Sequence, residues 1–354
     1  MGKAFKLLLA AVIIIAGISV AASRMPAVQD RLFAKALEKS FSSRAAALWD
    51  NDGISVFFCG TGSPLPSAKR AQTCTAVFAG GKYFLVDSGT GSWENVQAAG
   101  IPGERLAGIF LTHLHSDHIG DIGEADLGSW VAGRPSKLAV YGPLGTERIV
   151  NGLNEAFALD HVYRTAHHGK AIAEPRTAGL EAVLFAGDAP IVVYEKDGLT
   201  VTAFPVKHDP VKPAVGYRFD YAGRSVVISG DTAYSEALVQ ASRGADLLIH
   251  EAQANHMVAR LQEAAAKAGN ARLAKILSDI PTYHTSPADA ARAANEAGAD
   301  WLLLTHLTPA PDNAVAKSIF MRGVSKVRKS NVKLAEDRLA VRLPPDGGFQ
   351  FERY

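Results

Sequence analysis

The chain has 354 residues, 48% of them hydrophobic and 20% charged, and 37 basic against 35 acidic side chains leave a formal charge of +2. That balance excludes a disordered chain, and with the charges spread without long runs no electrostatic footprint for nucleic acid stands out. Two cysteines, Cys59 and Cys74, are too few for a disulfide scaffold and lack the spacing of a zinc pair. They read either as one bridge or as two buried thiols.

In chain order, Lys3 and Lys6 precede an apolar run over 7–22, with Arg24 just behind it. This is the pattern of an export signal, and as a helix the run spans about 24 Å against a hydrocarbon core of ~30 Å. Ser19, Ala21 and Ala22 offer a cleavage site, while Arg24-Met25-Pro26 suits the exit of a retained anchor. The expectation is a signal peptide or N-terminal membrane anchor over 1–24, a helical spacer over 25–52 and one folded domain over 53–354. That domain is expected outside the cytoplasm, periplasmic or membrane-anchored, touching the membrane only through an uncleaved N-terminal segment.

From residue 54 the texture changes to short β-like runs at 54–58, 75–78, 83–86, 108–111 and 138–141, then at 191–194, 200–205, 225–228, 247–249 and 301–304. Gly, Pro and Ser clusters separate them. Helical stretches are interleaved at 93–99, 146–158, 235–242, 254–277 and 287–297, which implies a layered α/β domain. The stretch Asp160-His161-Val162-Tyr163-Arg164-Thr165-Ala166-His167-His168 reads as a substrate-facing or surface loop. Trp130 reads as a core residue or a pocket wall.

Four potential metal ligands fall within Thr112-His113-Leu114-His115-Ser116-Asp117-His118, directly after the apolar strand at 108–111. Residues two apart at a strand end point the same way, so His113 and His115 can grip one ion while Asp117 and His118 turn to a second. Neutral imidazoles suit zinc, and a carboxylate adds charge for another dication. His208, Asp231 and His306 each follow a further apolar strand, and their recurrence at one relative place argues for a single metal rim. His284 stands before a helix beginning near Pro287, where an imidazole and free backbone N–H groups can meet an oxyanion. His250 reads as a buried supporting residue and His256 as an exposed one.

The ordered set of motifs resembles the metallo-β-lactamase superfamily, in the branch of ribonuclease Z and arylsulfatase-like hydrolases. It comprises Gly60-Thr61-Gly62-Ser63, Asp87-Ser88-Gly89, the histidine cluster, Tyr141-Gly142-Pro143, Gly216-Tyr217-Arg218, Ser229-Gly230-Asp231-Thr232, Ile249-His250-Glu251-Ala252, His284-Thr285-Ser286 and Leu304-Thr305-His306. The resemblance implies an αββα sandwich with its metals at one edge of the two sheets, and a hydrolase domain over 53–354. By position, it implies one ion on His113, His115 and His208, the other on Asp117, His118 and His306, and Asp231 bridging both. Two divalent ions, expected as Zn2+, are the implied cofactors. Asp117 is expected to orient the attacking water or take its proton. His284 is expected to bind the scissile phosphate or protonate the leaving group, with Glu251 orienting it.

The tRNA-processing enzymes of that branch carry a protruding arm between the segments matching Gly216-Tyr217-Arg218 and Ser229-Gly230-Asp231, and here only a short hairpin intervenes. The expectation is therefore a small-molecule ester substrate rather than tRNA, with hydrolysis of phosphodiester or sulfate esters, arylsulfatase-like. Lactone or carboxyl-ester hydrolysis is the alternative within enzymes, and a noncatalytic binding module that kept the fold is the alternative outside them.

Overall fold

The computed structural model describes Phe5 and residues 23–41, 44–49 and 52–354; the apolar run over 7–22, read as an export signal, lies outside the described residues. The chain divides into two compact units, Met1–Arg44 and Ala45–Tyr354. In the first, helix α1 (Pro26–Phe41) opens on a proline, whose missing N–H is harmless in a first turn. Leu32 and Phe33 of this helix are exposed.

The second unit begins inside the stretch read as spacer: Ala45 and Leu48 are fully buried in its core, and the Trp49 ring stands edge-on to Phe78 at 4.8 Å. Its strands are β1 (Ile54–Gly60), β2 (Cys74–Ala79), β3 (Lys82–Val86), β4 (Leu106–Phe110), β5 (Leu138–Pro143), β6 (Leu180–Phe185), β7 (Ile191–Lys196), β8 (Leu199–Pro205), β9 (Val215–Tyr221), β10 (Arg224–Ile228), β11 (Leu247–Gln253), β12 (Trp301–Thr308), β13 (Val332–Leu334), β14 (Leu339–Leu343) and β15 (Gln350–Arg353). Among the described residues they form two sheets, ordered β15-β14-β1-β2-β3-β4-β5-β6 and β13-β12-β11-β10-β9-β8-β7.

The central strands are apolar on both faces because both faces are covered. Val56 and Phe58 of β1, with Phe84 and Val86 of β3, point between the sheets and meet Val201, Phe219, Val226 and Ile249. Phe57 and Leu85 point the other way, against Trp93 and Val96 of α2 (Ser92–Ala98) and Ile122 and Ala125 of α4 (Ile122–Val131). The outer face of the second sheet is covered by α6 (Glu236–Ala241), α9 (Pro287–Ala297) and α10 (Ala314–Phe320), through Leu238, Ala290, Ala294 and Phe320. This is the αββα sandwich expected of the sequence. Cys59 and Cys74 lie on neighbouring strands and are joined as a disulfide.

Two local expectations are corrected. Residues 160–168 are not a loop but the end of a 23-residue helix, α5 (Thr146–His168), that buries only Thr146 and Val150 and so lacks the apolar stripe by which a helix is read. The helix expected over 254–277 is two, α7 (Asn255–Lys267) and α8 (Ala271–Asp279). Gly269 at φ 75° ends the first, and the Asn270 side chain accepts from Leu273 N–H to start the second.

Candidate metal centre

The parallel run β10-β11-β12 in one sheet and β3-β4-β5 in the other bring several strand ends to a common edge. The short helix α3 (Ser116–Ile119) follows β4 at that edge. The sheets are tied there: Tyr217 Oη donates to the Leu111 carbonyl at 2.6 Å, and Val215 N–H donates to the Thr112 carbonyl at 2.9 Å. Gly230, at φ 60°, is required by this approach, since a Cβ would stand 2.6 Å from the Val215 carbonyl oxygen and 2.9 Å from Thr112 Cβ.

All seven residues read as metal ligands converge. His113, His115, His208 and Asp231 form one group and Asp117, His118 and His306 another, with ligand atoms in each group within 4.8 Å of one another. Asp231 Oδ2 lies 3.3 Å from His306 Nε2, 3.4 Å from His118 Nε2 and 4.0 Å from His113 Nε2 and His208 Nε2. His115 is exposed at the mouth, whereas the other six are buried.

These residues fit a pair of cations. His118 Nε2, His208 Nε2 and Asp231 Oδ1 are buried without a hydrogen-bond partner, a costly state that a cation relieves. Burial opposes the charged form of His118, yet Asp231 and Asp87 hold its pKa well above the usual imidazole range. Burial likewise opposes the Asp231 carboxylate, yet His306 and His118 hold it well below the usual range. Hydrogen bonds on the other ring nitrogens leave Nε2 free for a metal on two ligands. His118 Nδ1 is 2.8 Å from Asp87 Oδ2, and His208 Nδ1 is 3.1 Å from the Tyr283 carbonyl oxygen. Asp87 also accepts from Thr112 N–H and Oγ1 at 2.9 and 2.8 Å.

Asp87 stands in one of the sequence motifs without an expected role of its own; its signal is an acid at a strand end before Ser-Gly. The Tyr283 carbonyl has no side-chain signal at all.

His284 and Glu251 meet as expected. His284 Nδ1 is 3.1 Å from Glu251 Oε1, which also accepts from Thr285 N–H at 2.9 Å. Burial lowers the His284 pKa, but the Glu251 carboxylate more than offsets this, raising it to about 9. The His284 ring stacks on His306 with centroids 5.6 Å apart. His250 is buried with Nδ1 2.7 Å from the Glu251 carbonyl oxygen. His256, expected exposed, is half-buried and reaches the Ile319 carbonyl. Trp130 is a core residue, its indole N–H donating to the Glu174 carbonyl at 2.9 Å.

The family model for a beta-lactamase superfamily domain matches residues 82–307. The chain is 37% identical over 260 residues to the ribonuclease Z of Mycobacterium bovis, covering 73% of this chain and 87% of that one. It is 38% identical, with the same coverage, to the ribonuclease Z of Mycobacterium avium. Its fold is similar to the crystal structure of human tRNase Z, short form, with a TM-score of 0.58 at 22% identity over 82% of this chain and 99% of that one.

These relatives overturn two expectations. A small-molecule ester substrate with tRNA set aside conflicts with relatives that are ribonucleases. The connection between β9 and β10 is indeed a two-residue turn, Ala222-Gly223, but it carries none of the seven candidate ligands. An exported, periplasmic or membrane-anchored location is likewise not supported by ribonuclease Z relatives, and no helix among the described residues is long and apolar enough to cross a membrane. With its metal-binding edge and these relatives, the chain belongs to the beta-lactamase superfamily, in its ribonuclease Z branch, and is a metal-dependent hydrolase of phosphodiester bonds.

Proposed function

We propose that the domain over 53–354 cleaves phosphodiester bonds in RNA, with a precursor tRNA as the first substrate to test. His113, His115 and His208 would hold one zinc ion, Asp117, His118 and His306 the other, and Asp231 both. The imidazole-rich donor set favours zinc over the oxygen-preferring cations. When bound, the ions supply an acidified water and stabilise negative charge on the attacked phosphorus.

The observation that carries the reading is the His284–Glu251 pair beside the ligand groups, with ligand atoms of Asp231, His284 and His306 within 4.8 Å of one another. A ribose oxygen is a poor leaving group and gains from a proton as it departs. His284, with a pKa of about 9, carries that proton at neutral pH. Its Nδ1–H donates to Glu251, which leaves Nε2–H to protonate the departing oxygen. Glu251 is a positioning residue, itself held by Thr285 N–H and Thr232 N–H. Asp117 stays ionised: burial opposes its charge, but the contact with His306 at 3.1 Å and the charge of His118 outweigh it. Its carboxylate can orient the attacking water.

The test is the full chain assayed on precursor tRNA, a bis(nitrophenyl) phosphate, a nitrophenyl sulfate and a lactone, with metal content measured in parallel. The reading expects about two zinc ions per chain and metal-dependent cleavage of the first two substrates. Turnover of the sulfate ester or the lactone with phosphodiesters untouched overturns it.

A further inference from the structure

His306 occupies a strained place in its strand. The β11-β12 ladder pairs Glu251 with Thr305 and then Ala252 with Leu307, so that His306 is passed over as a bulge residue. Its φ is +46°, a left-handed conformation that a non-glycine residue keeps only where its surroundings impose it. Bulges re-aim side chains next to active sites, and this one aims His306 at Asp117 and Asp231.

What imposes it comes from outside the metal rim. On one side of His306, Leu307 N–H donates to the Thr61 carbonyl at 3.0 Å; on the other, the Leu304 carbonyl accepts from Ala335 N–H at 2.8 Å. Asp337 joins the two anchoring segments. Its Oδ1 accepts from both Thr61 N–H and Thr61 Oγ1, at 3.0 and 2.6 Å. Its Oδ2 accepts from Ala71 N–H at 2.7 Å and Asn95 Nδ2 at 3.0 Å. Arg70 closes the circuit, one guanidinium nitrogen donating to Thr61 Oγ1 at 2.5 Å and to the Ala335 carbonyl at 2.8 Å. Thr61 is fully buried, and the span matched by the family model contains neither Thr61 nor Asp337.

We propose that Asp337 is a positioning residue for His306, acting through Thr61 and the Leu307 amide to hold the bulge that presents this imidazole to the metal pair. The proposal rests on the assignment of His306 as a ligand. It also gives the Gly60-Thr61-Gly62-Ser63 motif a purpose, because Thr61 links the carboxylate to β12.

The test uses the full chain with Asp337→Asn, which turns one acceptor oxygen into a donor, and Thr61→Val, which keeps the side-chain volume and loses the hydroxyl. In metal-free protein, hydrogen exchange at the Leu307 amide should accelerate in both variants. On reloading with zinc, one ion should bind about 10–100-fold more weakly and the other as in the wild type. Turnover of bis(nitrophenyl) phosphate should fall in kcat with KM near wild type, and Thr61→Ser should restore all three readouts. If Leu307 exchange and both affinities stay at wild-type values, the proposal is overturned. Equal weakening of both ions alongside a lowered thermal midpoint also overturns it, because the circuit then only holds the fold. If Asp337→Asn does not fold, Thr61→Val decides. Wild-type protein binding less than one zinc ion would defeat the ligand assignment instead, and the exchange measurement on metal-free protein still reports on the circuit.

Discussion

Two parts of this molecule are rich in histidine, and they have opposite fates. In 113–118 the histidines follow a parallel strand, where the pleat and the turn into a short helix bring His113 and His118 rings to within 4.0 Å of each other and to His208, Asp231 and His306 from other strands. In 160–168 they ride on the last turns of α5. His161 leans on Trp130 with ring centroids 5.1 Å apart, while His167 and His168 are exposed. Composition is alike; topology separates them. A parallel sheet aligns strand ends from distant parts of the chain, whereas successive positions on a helix point away from one another.

The sharpest test of this contrast removes a candidate ligand from the strand-end group. Asp231→Ala or His113→Ala should lower zinc content, measured by mass spectrometry, and reduce phosphodiester cleavage by more than the roughly 10–100-fold expected of a residue that only supports a ligand. His167→Ala combined with His168→Ala should change neither quantity. Equal metal loss from both regions would erase the distinction.

Next in size is His284, which stands at the strand-end site without being assigned as a ligand. For His284→Ala, cleavage of RNA should fall roughly 10²–10⁴-fold with metal content retained, and a nitrophenyl ester should suffer less because its leaving group needs no proton. Since Glu251 raises the His284 pKa to about 9, the wild-type rate should fall as pH rises through that value and the acid is lost. In Glu251→Gln, burial is opposed only by the charge of Asp231, so the imidazole pKa falls and the alkaline limb should move to lower pH. A limb that stays in place would assign the titration to another group. Asp87→Asn should cost about 10–100-fold in zinc affinity, since it weakens the partner of His118 Nδ1 at 2.8 Å, and chelator competition measures it.

Where the sequence is locally consistent, it is legible. Helix α9 is expected over 287–297 and is found there because Ser286 caps it through Asp289 N–H, Pro287 opens it, and Gly298 at φ 66° closes it. The strands around the site are visible because both faces are buried, which makes them short continuous apolar runs. The seven candidate ligands are visible because each stands just past such a run. Helix α5 is illegible beyond residue 158, since a helix lying on the surface carries no apolar stripe. Asp87 is visible in a motif but not as a partner of His118, because that contact joins residues 31 apart. The Cys59–Cys74 choice is settled only by the pairing of β1 with β2. The short β9-β10 turn misleads about the substrate, because it lies outside the candidate ligand groups and the relatives are ribonucleases.

The smallest effect concerns His161, the one histidine of the helical region with a role in packing. Its imidazole is 15% exposed, lies against the Trp130 ring, and has Nε2 3.5 Å from Asp126 Oδ2. Asp126 is also held by Arg134 at 2.6 Å, so the carboxylate keeps a partner when the imidazole is removed. His161→Ala should therefore cost the ring contact, about 0.5–1.5 kcal/mol, and the apolar area the imidazole covers, but leave no unpaired charge. In a unit of this size, that lowers the thermal midpoint by only a few degrees, on the order of 2–4 °C per kcal/mol. Zinc content and cleavage should not change, because α5 packs on the outer face of its sheet and its histidines are absent from every ligand group at the strand-end edge. Calorimetry of the zinc-loaded variant gives the first quantity and the phosphodiester assay the second. A loss of zinc in His161→Ala would join the two histidine-rich regions into one site and remove the contrast between strand ends and helix.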